Sequence, residues 1–179
     1  MKTITVYCSS REIDGKYMKA AEELSSLMVK NNYDLVWGGT DKGLMREVAT
    51  NVQESGGKII GISTKMFEEN GKKNADEMVM TSSIEERKEQ LLKRGDAIIL
   101  LPGGLGSLDE LFYTLELKKL RMHDKPVVVI NIDKYYDGLK EQLFRTDKEG
   151  FIHRKLKELV YFTDNPKDAI SYIIDKLDK

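Results

Sequence analysis

The chain has 179 residues, a length typical of one domain, and its 29 Lys and Arg against 30 Asp and Glu give a formal net charge of −1. This balance argues against a nucleic-acid-binding surface, which needs an excess of positive charge on one face. The single cysteine, Cys8, excludes an intrachain disulfide, and no apolar run approaches the roughly 20 residues that span a bilayer. We therefore expect a single α/β domain over residues 1–179, located in the cytoplasm and neither secreted nor inserted in a membrane.

Short apolar runs rich in β-branched residues recur along the chain, and each precedes a longer segment with helical spacing. The predicted strands are Ile4–Cys8, Asp34–Trp37, Lys58–Ile62, Glu77–Thr81, Asp96–Leu101, Val127–Ile132 and Leu159–Phe162. Strands that alternate with helices of roughly 10 to 15 residues form right-handed βαβ units, so they lie parallel. The sequence therefore predicts a Rossmann-like, doubly wound parallel sheet of about seven strands with helices on both faces.

A glycine-rich turn follows the second predicted strand, where Gly38, Gly39 and Gly43 precede a helix predicted to begin at Leu44. Adjacent glycines let the backbone take positive φ and approach an anion closely, and the dipole of the following helix favours negative charge there. Ligands of open α/β sheets bind at this edge of the sheet. Glycines also make ordinary tight strand-to-helix turns, so this turn taken alone leaves both interpretations open.

The next two segments are an irregular stretch and a basic helix. The stretch Ser63–Ala75 is rich in Glu, Asn, Gly and Lys, and we expect it to lie over the carboxyl ends of the strands. Ser83 begins a Ser-x-x-Glu capping pattern before a helix that carries Arg87 and Lys88 near its N-terminus. Because the helix dipole disfavours cations there, an anionic ligand would explain their placement. The alternative is a solvated face with ordinary ion pairs to neighbouring glutamates.

A second glycine-rich turn, Pro102–Ser107, follows the fifth predicted strand and precedes a helix predicted to begin at Leu108. Neither turn matches a P-loop or a dinucleotide fingerprint, which argues against ATP hydrolysis and NAD binding. Two such turns in one sheet favour a site for a phosphorylated small molecule. Glu110 either faces that ligand or closes a capping box with Ser107, and the sequence favours neither. The two histidines lack partners at metal-ligand spacing, so no metal site is predicted.

Three ordered segments resemble the signatures of the Lonely Guy family, the cytokinin riboside 5'-monophosphate phosphoribohydrolases that were long mislabelled as lysine decarboxylases. These segments are Gly38–Met45, Glu86–Lys88 and Pro102–Glu110, and weaker matches extend the resemblance from the first strand to about residue 152. The resemblance implies hydrolysis of the N-glycosidic bond of a purine nucleoside 5'-monophosphate, including N6-modified, cytokinin-type ones. The products would be the free base and ribose 5-phosphate, and no metal or organic cofactor is implied.

Matched motif by motif, the resemblance implies that Glu110 is the catalytic carboxylate and that Arg87 is its catalytic partner. It implies binding of phosphate, ribose and base by Gly38, Gly39, Gly43, Glu69, Lys88, Gly103, Gly104, Gly106 and Ser107. It also implies a homodimer whose active site lies near the subunit contact. The sequence departs from the family pattern at Thr40, Arg46, Glu86 and Glu116-Leu117.

The leading hypothesis is therefore a nucleoside 5'-monophosphate phosphoribohydrolase whose partner is a small-molecule nucleotide, with no role for nucleic acid or membrane. The alternative is a non-catalytic carrier of a nucleotide or phosphate ligand that keeps the glycine turns without turnover. An amino acid decarboxylase would need a pyridoxal-binding lysine in a much larger chain, and nothing in the sequence supplies it.

Overall fold

The computed structural model describes residues 2–13 and 15–178. Within them, seven parallel strands form one sheet: β1 (Lys2–Tyr7), β2 (Tyr33–Trp37), β3 (Ile59–Thr64), β4 (Glu77–Thr81), β5 (Ala97–Leu100), β6 (Val127–Ile130) and β7 (Tyr161–Thr163). The α-helices are α1 (Gly15–Lys30), α2 (Gly43–Glu54), α3 (Ile84–Arg94), α4 (Leu105–Lys119), α5 (Asp137–Lys148), α6 (Leu156–Leu159) and α7 (Pro166–Leu177). The predicted doubly wound parallel fold is confirmed.

The strand order across the sheet is β4-β3-β2-β1-β5-β6-β7, so the winding direction reverses between β1 and β5. In β1, Ile4 lies opposite Leu35 of β2 on one side and Ala97 of β5 on the other. The first half of the chain winds outward from β1 to β4, and the second half winds from β5 to β7 in the opposite direction. At such a reversal the loops that follow neighbouring strands diverge and leave a crevice.

Two apolar layers enclose the sheet. On one face α1, α2 and α7 pack through residues such as Leu24 and Val48, and on the other face α3, α4 and α5 pack through residues such as Leu91 and Leu111. All four residues of β5 are buried, as expected of a central strand covered on both faces. No helix within residues 2–13 and 15–178 is both long and apolar enough to cross a bilayer.

The stretch Ser63–Ala75 is more regular than predicted. Strand β3 continues to Thr64, and a 3₁₀ helix then spans Lys65–Asn70. The backbone of Thr40 forms an isolated antiparallel bridge with Gly71, which ties the end of this segment to the first glycine turn. The segment is therefore anchored at both ends, beside the carboxyl edge of β2 and β3.

Candidate active site

A cavity of about 480 Å³ opens at the carboxyl ends of β1, β2 and β5, where the strand order reverses. Its walls come from the segment after β1, the first glycine turn, the 3₁₀ helix, α3 and the start of α4. Ligands of open α/β sheets bind at this switch point. The cavity therefore lies where the topology alone favours a ligand, and it brings together five segments that are distant in sequence.

Arg87 and Glu110 form a buried ion pair in the wall of this cavity. Arg87 Nη1 donates to Glu110 Oε1 at 2.7 Å, and the two residues are 7% and 6% exposed. The guanidinium also donates from Nε to the carbonyl of Ile62 at 2.9 Å and from Nη2 to the carbonyl of Gly38 at 3.1 Å. The solvated-face interpretation is therefore wrong for Arg87, because its side chain reaches from α3 across the ends of β3 and β2 to Glu110.

The surroundings of Glu110 fix the protonation of its neighbours. Burial raises the pKa of the Glu110 carboxyl above its ordinary value, while the Arg87 guanidinium opposes that shift. Burial and the negative charge of Glu110 also raise the pKa of the Tyr7 phenol and the Cys8 thiol. Both groups are consequently neutral near pH 7, so Cys8 has little thiolate character although it lines the cavity.

The first glycine turn shapes the site from behind. A Cβ atom on Gly38 would lie 2.2 Å from Arg87 Nη2, so only glycine leaves room for the guanidinium. Gly39 and Gly43 have positive φ angles of 76° and 55°, and a Cβ on Gly43 would lie 2.2 Å from the carbonyl oxygen of Arg11. These three glycines do not line the cavity. In the structure, their lack of a side chain leaves room for the Arg87 guanidinium and for the segment after β1.

The second glycine turn is shorter than predicted, because α4 begins at Leu105 rather than at Leu108. Gly104 is the N-cap residue, and the first helical hydrogen bond runs from the Leu108 N–H to the Gly104 carbonyl at 3.1 Å. Ser107 is the third helical residue, so the proposed capping box with Glu110 is wrong: a capping box needs its serine at the N-cap position. Glycine is itself acceptable at an N-cap, which lets the helix start earlier.

The early start of α4 places its first turn in the cavity wall. Gly104, Gly106 and Ser107 line the cavity, and Cβ atoms on the two glycines would meet nothing within 4 Å. The N–H groups of a first turn have no partner within their own helix, and the helix dipole favours an anion there. Gly103 lies behind this turn, where a Cβ would approach Ser107 Oγ to 2.2 Å. The turn is therefore open on the side that faces the cavity and packed on the other.

Two consecutive tyrosines after β6 hold the second turn in place. The hydroxyl of Tyr135 donates to the carbonyl of Gly103 at 2.8 Å, and that of Tyr136 donates to the carbonyl of Leu101 at 2.9 Å. Their rings pack edge to face, with centroids 4.8 Å apart. The carbonyls at the carboxyl end of β5 are thereby fixed from outside the cavity.

Two further predicted binding residues, Lys88 and Glu69, also lie outside the cavity lining. Lys88 Nζ pairs with Asp109 at 3.0 Å and lies 5.4 Å from the centre of the Tyr113 ring. Glu69 is exposed and lines a shallower neighbouring pocket, which shares Lys42 with the cavity. The structure thus brings Arg87, Glu110, Gly104, Gly106 and Ser107 together, and it places Lys88 and Glu69 at the periphery.

Several residues that line the cavity were not anticipated. Arg11 and Lys42 add positive charge, and Phe67 and Asn70 of the 3₁₀ helix close one side. The Phe67 ring centre lies 5.7 Å from Arg87 Cζ, a distance at which cation and ring attract. Arg11 and Lys42 could have been predicted, because both follow the end of a strand, where ligands of such sheets bind. Nothing in the local sequence pattern indicates that Phe67 lines the cavity.

Comparisons with known proteins show the family to which the chain belongs. A family model described as "possible lysine decarboxylase" matches residues 45–173. A cytokinin riboside 5'-monophosphate phosphoribohydrolase of Mycobacterium tuberculosis is 34% identical over 170 residues, which cover 94% of this chain and 91% of that protein. An Arabidopsis thaliana protein of the same name, LOG3, is 35% identical over 172 residues, which cover 94% of this chain and 80% of its own length. The chain belongs to the Lonely Guy family.

Solved structures share the fold of this Lonely Guy protein at lower sequence identity. A molybdenum cofactor binding protein from Rippkaea orientalis superposes with a TM-score of 0.77 at 22% identity, covering 98% of this chain and 97% of that one. The molybdenum cofactor carrier protein from Chlamydomonas reinhardtii gives a TM-score of 0.76 at 20% identity, covering 99% of each chain. At these identities the likeness shows the fold alone.

Of the departures from the Lonely Guy pattern, Thr40 is the one that lines the cavity. Arg46 Nη2 pairs instead with Glu12 Oε1 at 2.8 Å on the protein surface. Glu86 completes the predicted cap of α3, since its carboxylate accepts from the Ser82 N–H at 2.7 Å while its own N–H donates to Ser83 Oγ at 3.1 Å. Of these side chains, Thr40 is therefore the one positioned to meet a ligand.

Proposed function

We propose that this protein hydrolyses the N-glycosidic bond of a purine nucleoside 5'-monophosphate, including N6-modified, cytokinin-type nucleotides, to the free base and ribose 5-phosphate. The observation that carries the proposal is the buried Glu110 carboxylate, held by Arg87 at 2.7 Å in a cavity beside the open first turn of α4. Relatives that match nearly the whole chain carry the name of this activity, which supports the same reaction here.

The phosphate binds at the N-terminus of α4. Gly104, Gly106 and Ser107 present unpaired N–H groups there, and the helix dipole adds partial positive charge. The two glycines have no Cβ atom that would keep a phosphate at a distance. Arg11 and Lys42 line the same cavity and supply full positive charges near the dianion. Anchoring the phosphate at this turn sets the ribose over the next turn of α4, which carries Glu110.

Glu110 acts on the anomeric carbon. When the bond from C1' to the base nitrogen breaks, the sugar develops oxocarbenium character, which an ionised carboxylate at close range stabilises. A water molecule then forms the new bond to C1'; one of its protons is lost, and the departing base gains one. Arg87 positions Glu110 through their hydrogen bond, and its guanidinium opposes the effect of burial on the pKa of the carboxyl, which favours the ionised form.

The peripheral residues keep secondary roles in this proposal. Lys88 contributes positive charge from a distance, because its ammonium is engaged by Asp109. Glu69 contacts the base from the rim, since the pocket that it lines adjoins the cavity through Lys42 and Asn70. Gly38, Gly39 and Gly43 contribute to nucleotide binding indirectly, because they set the backbone conformation of the first glycine turn. In this proposal, residues 1–179 form a single nucleotide-binding domain.

The test is a ribose 5-phosphate assay on the purified protein with AMP and with N6-prenylated AMP. We expect Glu110→Gln to lower the rate by about 10²–10³-fold, the loss typical of removing a main electrostatic group, while the melting temperature stays within a few degrees. Glu116→Gln is the matched control, because it makes the same change at an exposed position on the same helix and leaves the rate unchanged.

Three results would contradict the proposal. Full activity of Glu110→Gln would show that the Glu110 carboxylate is not needed for the reaction. A parallel loss of rate and melting temperature in that variant would point to a structural role. If the wild-type protein cleaves neither nucleotide but both raise its melting temperature, the protein is a carrier, the alternative that the sequence left open.

We further propose that the protein acts as a cytoplasmic homodimer with the site near the subunit contact. Large apolar side chains on and just after α4 support this: Phe112 is 46% exposed, Leu120 56% and Met122 69%. Light scattering on the purified protein checks the prediction, and a monomer at micromolar concentration would contradict it.

A further inference from the structure

A second cavity, of about 620 Å³, lies at the opposite edge of the sheet from Glu110. Asp96 and Pro126, which line it, immediately precede β5 and β6, whereas the candidate active site follows the ends of the strands. The end of α4, the region of α6 and the last turn of α7 complete its walls. The proposed hydrolysis uses none of these residues.

The lining of this second cavity is rich in cations. Five side chains are basic, Lys118, Lys125, Arg154, Lys157 and Lys176, and three are acidic, Asp96, Asp124 and Glu158, which leaves a net charge of +2. The carboxylates are already engaged. Asp96 accepts from the Thr3 N–H at 2.7 Å, while Asp124 and Glu158 both pair with Arg154, at 2.8 Å and 3.3 Å.

Lys118 is the decisive residue of the second cavity. It is only 4% exposed, yet within residues 2–13 and 15–178 its ammonium has no hydrogen-bond or ion-pair partner. The charges that act on it most are those of Arg154, Asp124 and Lys176, all of which line the same cavity, so the ammonium faces that space. Burial and the two cations lower the pKa of Lys118 to about 8. Lysine is almost never buried to this extent without a partner.

We propose that the second cavity binds a compact, multiply charged oxyanion of the phosphate class, which the ammonium of the buried residue Lys118 contacts. Lys157 and Lys176 are exposed and lie at the rim, where they draw the anion in. Asp124 and Glu158 pair with Arg154 and not with Lys118. The anion would therefore supply the negative charge that the Lys118 ammonium lacks. A site remote from Glu110 that holds phosphate lets the protein bind an anion independently of its nucleotide substrate.

Isothermal titration with pyrophosphate at pH 7 and low ionic strength tests the proposal on the full chain. We expect Lys118→Met to abolish one binding event or weaken it at least ten-fold, and Lys118→Arg to retain it because the charge remains. Lys19→Gln, which removes a cation from an exposed position on α1, is the matched control and should change the affinity less than two-fold. Pyrophosphate that enters the first cavity remains bound in every one of these variants.

A double variant, Lys157→Gln with Lys176→Gln, provides a second measurement that does not touch the buried position. We expect it to weaken the same binding event about ten-fold, with the melting temperature unchanged. Comparison with ADP distinguishes two kinds of ligand. Tighter binding of ADP than of pyrophosphate would indicate that the bound phosphate belongs to a nucleotide, and equal binding would indicate a free pyrophosphate-like anion. Unchanged affinity in both Lys118→Met and the double variant, absence of any binding by the wild type, or tighter binding of citrate than of pyrophosphate would overturn the proposal.

Discussion

Replacing Arg87 by methionine tests the electrostatics of the site most directly. The substitution keeps much of the apolar stem but leaves the buried Glu110 carboxylate without its counter-charge and the carbonyls of Ile62 and Gly38 without their donors. Removing one partner of a buried ion pair costs about 3–5 kcal/mol. For a chain of this length we therefore expect the melting temperature to fall by roughly 6–20 °C at pH 7.5.

The double variant Arg87→Met with Glu110→Gln separates charge from packing. Glutamine has nearly the same shape without the charge, so the double variant should recover at least about half of the stability lost by Arg87→Met. Urea unfolding can be followed by the fluorescence of Trp37, the single tryptophan, which is fully buried in the core. The coupling between the two substitutions is read from the four unfolding free energies.

The direction in which the stability of Arg87→Met changes with pH can be predicted. Burial already holds the folded-state pKa of Glu110 above its unfolded value, and loss of Arg87 raises it further. The folded state then binds more protons than the unfolded state between those two pKa values, so the free energy of unfolding falls as pH rises through that window. The part of the penalty in Arg87→Met that comes from the unpaired Glu110 charge therefore disappears below about pH 4.3, the ordinary pKa of glutamate. Equal stability of the single and double variants at pH 7.5, with a difference that does not vary with pH, would refute the reasoning.

Three further variants test other parts of the structure. Gly38→Ala places a Cβ 2.2 Å from Arg87 Nη2 and should lower ribose 5-phosphate release at least about ten-fold, whereas Gly138→Ala, whose Cβ meets nothing within 4 Å, should leave the rate unchanged. Ser83→Ala removes the N-cap of α3 and should lower the free energy of urea unfolding by about 0.5–2 kcal/mol; no change would exclude a role for the cap. Lys118→Met should raise the stability of the anion-free protein at pH 7 by about 1–3 kcal/mol, because the folded-state pKa of about 8 lies below the unfolded value of about 10.4. That advantage should close as pH rises from 8 to 10.4, and a variant less stable than wild type at pH 7 would contradict it.

The strands were predictable because their signals are local and strong. The run Val127–Ile130 has four consecutive β-branched residues that are buried on both faces, and no other element accommodates such a run as readily. The beginning of α4 was not predictable from the same kind of pattern. Gly104 and Gly106 are poor helix formers, so the local sequence favours a later start. The helix nevertheless begins at Leu105, with Gly104 as its N-cap residue and Ser107 as the buried residue of the first turn.

The outcome for the site residues follows from helix geometry. Arg87 and Lys88 are adjacent in sequence, but successive residues on a helix point about 100° apart, so one turns inward to Glu110 and the other outward to Asp109. The residues alone left Glu110 open between a cap and a ligand contact. The three-residue shift in the start of α4 decides against the cap, because it moves Glu110 beyond the first turn.

The tyrosine pair after β6 has a thermodynamic consequence for ligand recognition. Since Tyr135 and Tyr136 hold the carbonyls of Gly103 and Leu101, the peptide group of Gly103 and Gly104, which we propose to bind an anion, loses its freedom during folding rather than on ligand arrival. Association then carries little entropic penalty from ordering that loop, and more of the contact energy appears as affinity. Rigidity at this point therefore originates one strand away from the cavity, in side chains that no ligand needs to touch.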